Sequence, residues 1–167
     1  MIYDINPLKI FELDDKFNCK LKCNINDALL SKFKESFPDL EFHIRNSTNL
    51  INVGKNTFLG MGHGVLDYKG NTEINKYLIP SFKKSKYSDS DKTYFKKFFK
   101  LYTGFFYKLD MNKKEITEIS PFFQLPNYES KQELIFFPTN IYLDQNRFVN
   151  ISYNVGDNRS YYLKLHL

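Results

Sequence analysis

Tryptophan is absent from this chain, cysteine occurs twice, proline six times and glycine seven times in 167 residues. Two cysteines exclude a small scaffold held by several disulfides. So few glycines and prolines exclude a collagen-like or low-complexity chain. No apolar run approaches the ~20 residues that a membrane-spanning helix needs. The opening stretch, MIYDINPLKIFELDD, lacks a basic segment followed by an apolar one, so no signal peptide is expected. These absences predict a soluble, intracellular protein with no membrane contact. The GxSxG, HExxH and P-loop patterns are missing too, and with them the common hydrolase, metalloprotease and nucleotide signatures.

What is there is aromatic and locally basic. The chain is 42% hydrophobic, with 17 Phe and 12 Tyr, which is far too apolar for disorder and enough for one domain with a core. The net charge is +5. Residues 69–100 alone hold nine lysines against Glu73, Asp89 and Asp91, so the basic character belongs to that segment. Lysine interleaved with Tyr and Phe suits an anionic polymer. The interrupting acidic residues favour the plainer reading, the solvated face of an inserted helix, and nucleic acid is not the expected partner.

Elsewhere the chain reads as short strands between turns. Strands are expected at 7–13, 17–25, 41–45, 48–53, 57–66, 101–110, 115–120, 133–144, 147–156 and 160–167. Asp27 reads as the N-cap of a short helix whose Leu29, Leu30, Phe33 and Phe37 share one face. Turns are expected at Asp110-Met111-Asn112, Asp144-Gln145-Asn146 and Gly156-Asp157-Asn158. Many short strands at regular spacing predict an all-β architecture of antiparallel strands, a sandwich, barrel or propeller, with the last three strands as a meander. The two cysteines lie in FNCKLKCNI, where Phe17, Cys19, Leu21, Cys23 and Ile25 alternate with polar residues. The period predicts one buried face carrying both thiols, and no metal site, because further ligands are not in sequence reach.

One stretch is unusual. FLGMGHGVLDY, Phe58 to Tyr68, spends Gly60, Gly62 and Gly64 around His63. From Ser47 onward the order of motifs resembles the C-terminal half of the β-mannoside phosphorylase family of five-bladed β-propellers, glycoside hydrolase family 130. FLGMGHGV stands where that family has a WLLIYHGV-like strand. YTGFFYKLD (Tyr102 to Asp110) follows, then PFFQLPNYE (Pro121 to Glu129), FFPTN (Phe136 to Asn140) and ISYNVGD (Ile151 to Asp157), each matching a family motif in the same order. The resemblance implies partial or divergent propeller blades within a single domain, residues 1–167, with 69–100 as a helical insertion. The family's catalytic general acid belongs to an earlier blade than those matched, so no catalytic residue is expected here.

The resemblance also implies a site. The family's histidine helps bind phosphate, which makes His63 a ligand-binding candidate. Glycines beside it let backbone approach a ligand or leave a cavity mouth open. The alternative is a tight strand where only glycine fits, with His63 merely hydrogen-bonded. Asp157 matches a sugar-facing aspartate, yet GDN is also a good turn. Arg45 suits bidentate contact to a phosphate, or plain solvation. Tyr102 and Tyr153 are cavity candidates by motif and packing residues by default. The expected role is carbohydrate-related and non-catalytic, binding a glycan or sugar phosphate or acting as an accessory in a glycan-modifying system, without cofactor or metal. The runners-up are a subunit of a phosphorylase or hydrolase completed by a partner chain, and a structural module without a ligand site. Uncovered blade edges imply a homodimer or protein partner.

Overall fold

The computed structural model describes residues 2–5, 7–36, 41–67, 100–123, 136–155 and 159–166. The expected insertion, apart from Lys100, lies outside them, as do Asp157 and most of the PFFQLPNYE stretch. In the described residues the chain forms β1 (Ile2–Ile5), β2 (Leu8–Leu13), β3 (Cys19–Ile25), α1 (Ala28–Glu35), β4 (Glu41–Asn46), β5 (Ile51–Gly54) and β6 (Thr57–Asp67). β7 (Lys100–Asp110), β8 (Glu115–Ile119), β9 (Phe136–Leu143), β10 (Phe148–Val155) and β11 (Arg159–His166) follow. Among the described residues the antiparallel all-β expectation holds, with one short helix. Among the described residues no helix is long and apolar enough to cross a membrane.

Three sheets form. Their orders are β1-β2-β3, β4-β6-β7-β8 with β5 also paired to β6, and the expected meander β11-β10-β9. Strand alternation assigns the two faces of the middle sheet to two cores. Phe105, Tyr107 and Leu109 of β7 join Ile5, Leu8, Ile10, Cys23, Leu30 and Phe122 in one. Leu59 and Met61 of β6 join Ile51, Ile141, Val149, Ile151, Tyr153 and Val155 in the other. The five-stranded sheet is therefore the middle layer, with β1–β3 and α1 on one face and β9–β11 on the other.

α1 starts where the sequence says it should. Asp27 Oδ1 accepts from the N–H groups of Leu29 and Leu30 at 2.9 and 3.1 Å. Its Oδ2 accepts from Ile116 N–H at 2.7 Å, which ties the helix to β8. This second bond helps a carboxylate to be 5% exposed: its oxygens are filled by backbone donors. Aspartates also set the hairpins. Asp14 Oδ1 accepts from Lys16 and Asn18 N–H at 2.9 and 2.8 Å, and Asp144 Oδ1 accepts from Asn146 and Phe148 N–H, both at 2.9 Å. These bonds hold Phe17 at φ 61° and Arg147 at φ 63°, a conformation that usually selects glycine or asparagine.

The cysteine expectation is half corrected. Ile10 pairs with Cys23, but Phe11 pairs with Leu21, so Lys22 is an extra residue in β3. A one-residue bulge exchanges the faces on either side of it. Cys23 stays with Ile10 in the core, while Leu21 and Cys19 turn to the opposite face and Cys19 is exposed. A thiol reagent will label Cys19 in the native protein at once and Cys23 only on unfolding. Equal native rates for the two, read by mass spectrometry of the labelled peptides, would refute the bulge.

Candidate functional site

The glycines of β6 answer to the core, not to a ligand. β6 pairs with β7 without a register break, from Thr57↔Asp110 to Asp67↔Lys100. Gly60, Gly62 and Gly64 therefore share one face, and His63 points to the other. A Cβ on Gly60 would stand 2.7 Å from Leu50 Cδ2 and from Tyr107 Cζ. On Gly62 it would stand 2.4 Å from Phe105 Cζ and 2.6 Å from the Arg45 carbonyl oxygen. On Gly64 it would meet Phe122 Cε1 at 2.6 Å. The expectation that these glycines leave ligand space is corrected: the space holds Leu50, Tyr107, Phe105 and Phe122. Large rings on neighbouring elements lie over a glycine track, and their bulk replaces the missing side chains.

On the other face, His63 has a defined shell. Register places Arg45 directly beside it on β4 and Gly104 on β7, with Tyr102 opposite Val65 one step along the same face. Between β4 and β5 the chain bulges. Ser47 N–H and Thr48 N–H both donate to the Met61 carbonyl, at 3.1 and 3.2 Å. The bulge brings Ser47 Oγ to 2.6 Å from His63 Nδ1. Phe137 of β9 lies between the two ring systems, with centroids 5.1 Å from His63 and 4.9 Å from Tyr102. The side chain of Asn49 fixes β9 against the bulge: its Nδ2 donates to Ile141 O at 2.8 Å and its Oδ1 accepts from Ile141 N–H at 3.1 Å. An amide thus completes the edge of the β9–β11 sheet as a strand would.

Electrostatics follow from this packing. Burial, with the Arg45 guanidinium added, lowers the His63 pKa to about 4. The imidazole is neutral at pH 7. If the Ser47 hydroxyl donates to Nδ1, Nε2 carries the proton and is a donor; in the other tautomer Nε2 is an acceptor. Among the described residues no group hydrogen-bonds Nε2. So weak a base accepts a proton from Ser47 poorly at neutral pH, which disfavours a serine nucleophile and suits hydrogen bonding to a bound molecule.

The five residues singled out from the sequence separate as follows. Arg45, His63 and Tyr102 share one face, with Arg45 exposed and the other two half-buried. Tyr153 is 4% exposed in the second core, stacked on Tyr161 at 5.6 Å, and burial raises its hydroxyl pKa. Asp157 is outside the described residues. Sequence reading missed Ser47 and Phe137. The only signal for Ser47 was the polar run NSTN between two strands, the composition of a bulge or corner. Among the described residues no three His, Cys, Asp or Glu side chains come together as a metal site. A cleft of about 340 Å3 lies elsewhere, lined by Asp27, Lys32, Glu115 and Thr117 among others.

No family model, no curated protein and no solved structure matches this chain. The case for function rests on the geometry around His63.

Proposed function

We propose that the chain is a non-catalytic carbohydrate-binding domain whose His63 site takes a phosphorylated sugar. One observation carries the reading: a neutral imidazole whose Nε2 no described residue engages, an exposed guanidinium and a tyrosine share one sheet face, with Phe137 packed against the imidazole and the tyrosine. Each part has a use. The exposed Arg45 supplies charge and paired donors to a phosphate. His63 Nε2 serves a sugar hydroxyl or a phosphate oxygen, and the ring edges of Tyr102 and Phe137 offer an apolar seat for a pyranose. The resemblance of its motif order to that of the phosphorylase propellers is in keeping with this reading. In that light the three sheets, packed face against face in succession, are divergent blades.

Isothermal titration with a panel of hexose 1-phosphates tests the reading, with free hexoses and inorganic phosphate as separate arms. At least one hexose 1-phosphate will bind more tightly than either arm. Arg45→Ala and His63→Gln will each weaken it by about tenfold or more, since each removes a polar contact worth ~1.5–3 kcal/mol to a charged group. No heat from any hexose 1-phosphate at millimolar concentration, or full affinity in Arg45→Ala, would end it.

A further inference from the structure

The outer face of the β9–β11 meander carries a second feature, built from residues that have no part in the His63 shell. Tyr142 of β9 and Tyr162 of β11 stand on strands separated by β10, which run about 10 Å apart, and face Asn150 and Ser152 respectively. Their hydroxyls are nevertheless 2.9 Å apart. Both side chains must therefore lean inward and lie along the sheet over β10. Asn150, beneath them on β10, confirms it: it belongs to the solvent-facing row yet is 1% exposed. Its Oδ1 accepts from the Tyr162 hydroxyl, and its Nδ2 donates to Phe148 O at 3.0 Å. The two tyrosines remain 44% and 55% exposed above this buried amide. The centroids are 6.5 Å apart and the planes tilt by 34°.

Polar groups border this roof. Ser152 pairs with Asn140 on one side and Tyr162 on the other, so its row runs straight into the aromatic pair. A neutralised ion pair borders it: Lys164 Nζ lies 2.7 Å from Asp144 Oδ2 and 4.4 Å from the centre of the Phe148 ring. A nucleic acid strand also stacks on tyrosine, but it requires unpaired cations, and this Lys is paired. Flat aromatic faces, amides and hydroxyls without net charge match an uncharged chain of hydroxyl-rich rings.

We infer that the Tyr142–Tyr162 roof is a binding platform for a neutral, extended polysaccharide. Adjacent pyranose rings stack their C–H faces on the two tyrosines, and the Asn140 amide and Ser152 hydroxyl meet the sugar hydroxyls at the edge. The hydrogen bonds among Tyr142, Tyr162 and Asn150 fix the rings before the ligand arrives, so little side-chain entropy is lost on binding. This site uses none of the His63 residues and stands or falls independently of the phosphorylated-sugar reading.

Affinity electrophoresis of the intact chain through gels containing soluble glucomannan, xylan, mixed-linkage glucan or dextran provides the test. At least one extended, β-linked polymer will retard the protein. The Tyr142→Ala/Tyr162→Ala double variant will lose about tenfold or more in affinity, because two exposed stacking faces vanish. A second variant guards against misfolding: Asn140→Arg, at an exposed position, leaves the tyrosines in place and obstructs the edge, and will weaken retardation too. His63→Gln and Arg45→Ala will not change it. Retardation by none of the four polymers, or equal retardation of wild type and both platform variants, overturns the platform. So does a dimer in light scattering that Tyr162→Ala dissolves, since the face would then be covered by a second copy.

Discussion

Alanine at Gly62 will cost about 3 kcal/mol or more, the largest loss of any methyl-sized change in β6. The added Cβ stands 2.4 Å from Phe105 Cζ and 2.6 Å from the Arg45 carbonyl oxygen. A ring can turn away. A carbonyl held in a strand pairing cannot, because β4 would have to part from β6. Gly60 provides the contrast, since its neighbours there are the side-chain atoms of Leu50 and Tyr107. Gly60→Ala will therefore be milder, about 1–3 kcal/mol, and much of its cost will disappear when Tyr107 is already Leu. Gly62→Ala in a Phe105→Leu background will keep at least about 1 kcal/mol of its cost. Gly54→Ala, with nothing within 4 Å of its Cβ, is the control and will change stability by less than about 0.5 kcal/mol. Urea unfolding of the five variants with the Tyr107 and Phe105 single changes decides the matter. A Gly62→Ala protein as stable as Gly54→Ala would show that β4 yields, and the rigid-layer account of the middle sheet would fail.

Much of this was legible in the sequence where period and turn chemistry agree. The strands of the meander, the cap at Asp27 and the turn at Asp144 all follow from alternation or from a side-chain acceptor beside free N–H groups. What escaped was face, and the reason is the same in each place. Alternation already put Gly60, Gly62 and Gly64 opposite His63, so the glycine question and the histidine question were separable from the start. Only reading GMGHG as one motif entangles them. In β3 alternation itself misled, since Lys22 is inserted without any local mark and reverses the side on which Cys19 stands. Ser47 escaped for a like reason: a bulge is a relation between two strands, here Ser47 and Thr48 against Met61, and one strand's residues do not announce it. Phe137 and the paired Tyr142 and Tyr162 depend on contacts across strands or layers, which no local pattern encodes.

Acid will destabilise the protein through His63 before it acts through the carboxylates. The ordinary imidazole pKa is 6.5, and in the folded chain it falls to about 4, chiefly by burial and secondarily through Arg45. The unfolded chain therefore takes up the proton first. The stabilising contribution of the neutral ring is complete above pH 6.5, is lost as the pH falls toward 4, and changes no further below that. The shift corresponds to about 2 kcal/mol once the ring's partial exposure is discounted. Asp144, held down to about 2 first by its hydrogen bond with Lys164 and then by Phe148 N–H, loses its contribution only below its ordinary value of 3.8, so the two windows separate. Stability measured by urea between pH 7 and 4.5 will fall in the wild type and be nearly flat in His63→Gln. Arg45→Gln will lie between them, because removing the neighbouring positive charge lets the imidazole protonate more easily. The phosphate of the proposed hexose 1-phosphate, mostly a monoanion near pH 5, acts on the imidazole in the same direction, so a saturating ligand bound in that form will reduce the slope. Identical slopes in wild type and His63→Gln would mean that the imidazole is not desolvated by Phe137 and the bulge. The proposed site would then lack the neutral hydrogen-bonding ring that the proposed ligand chemistry needs.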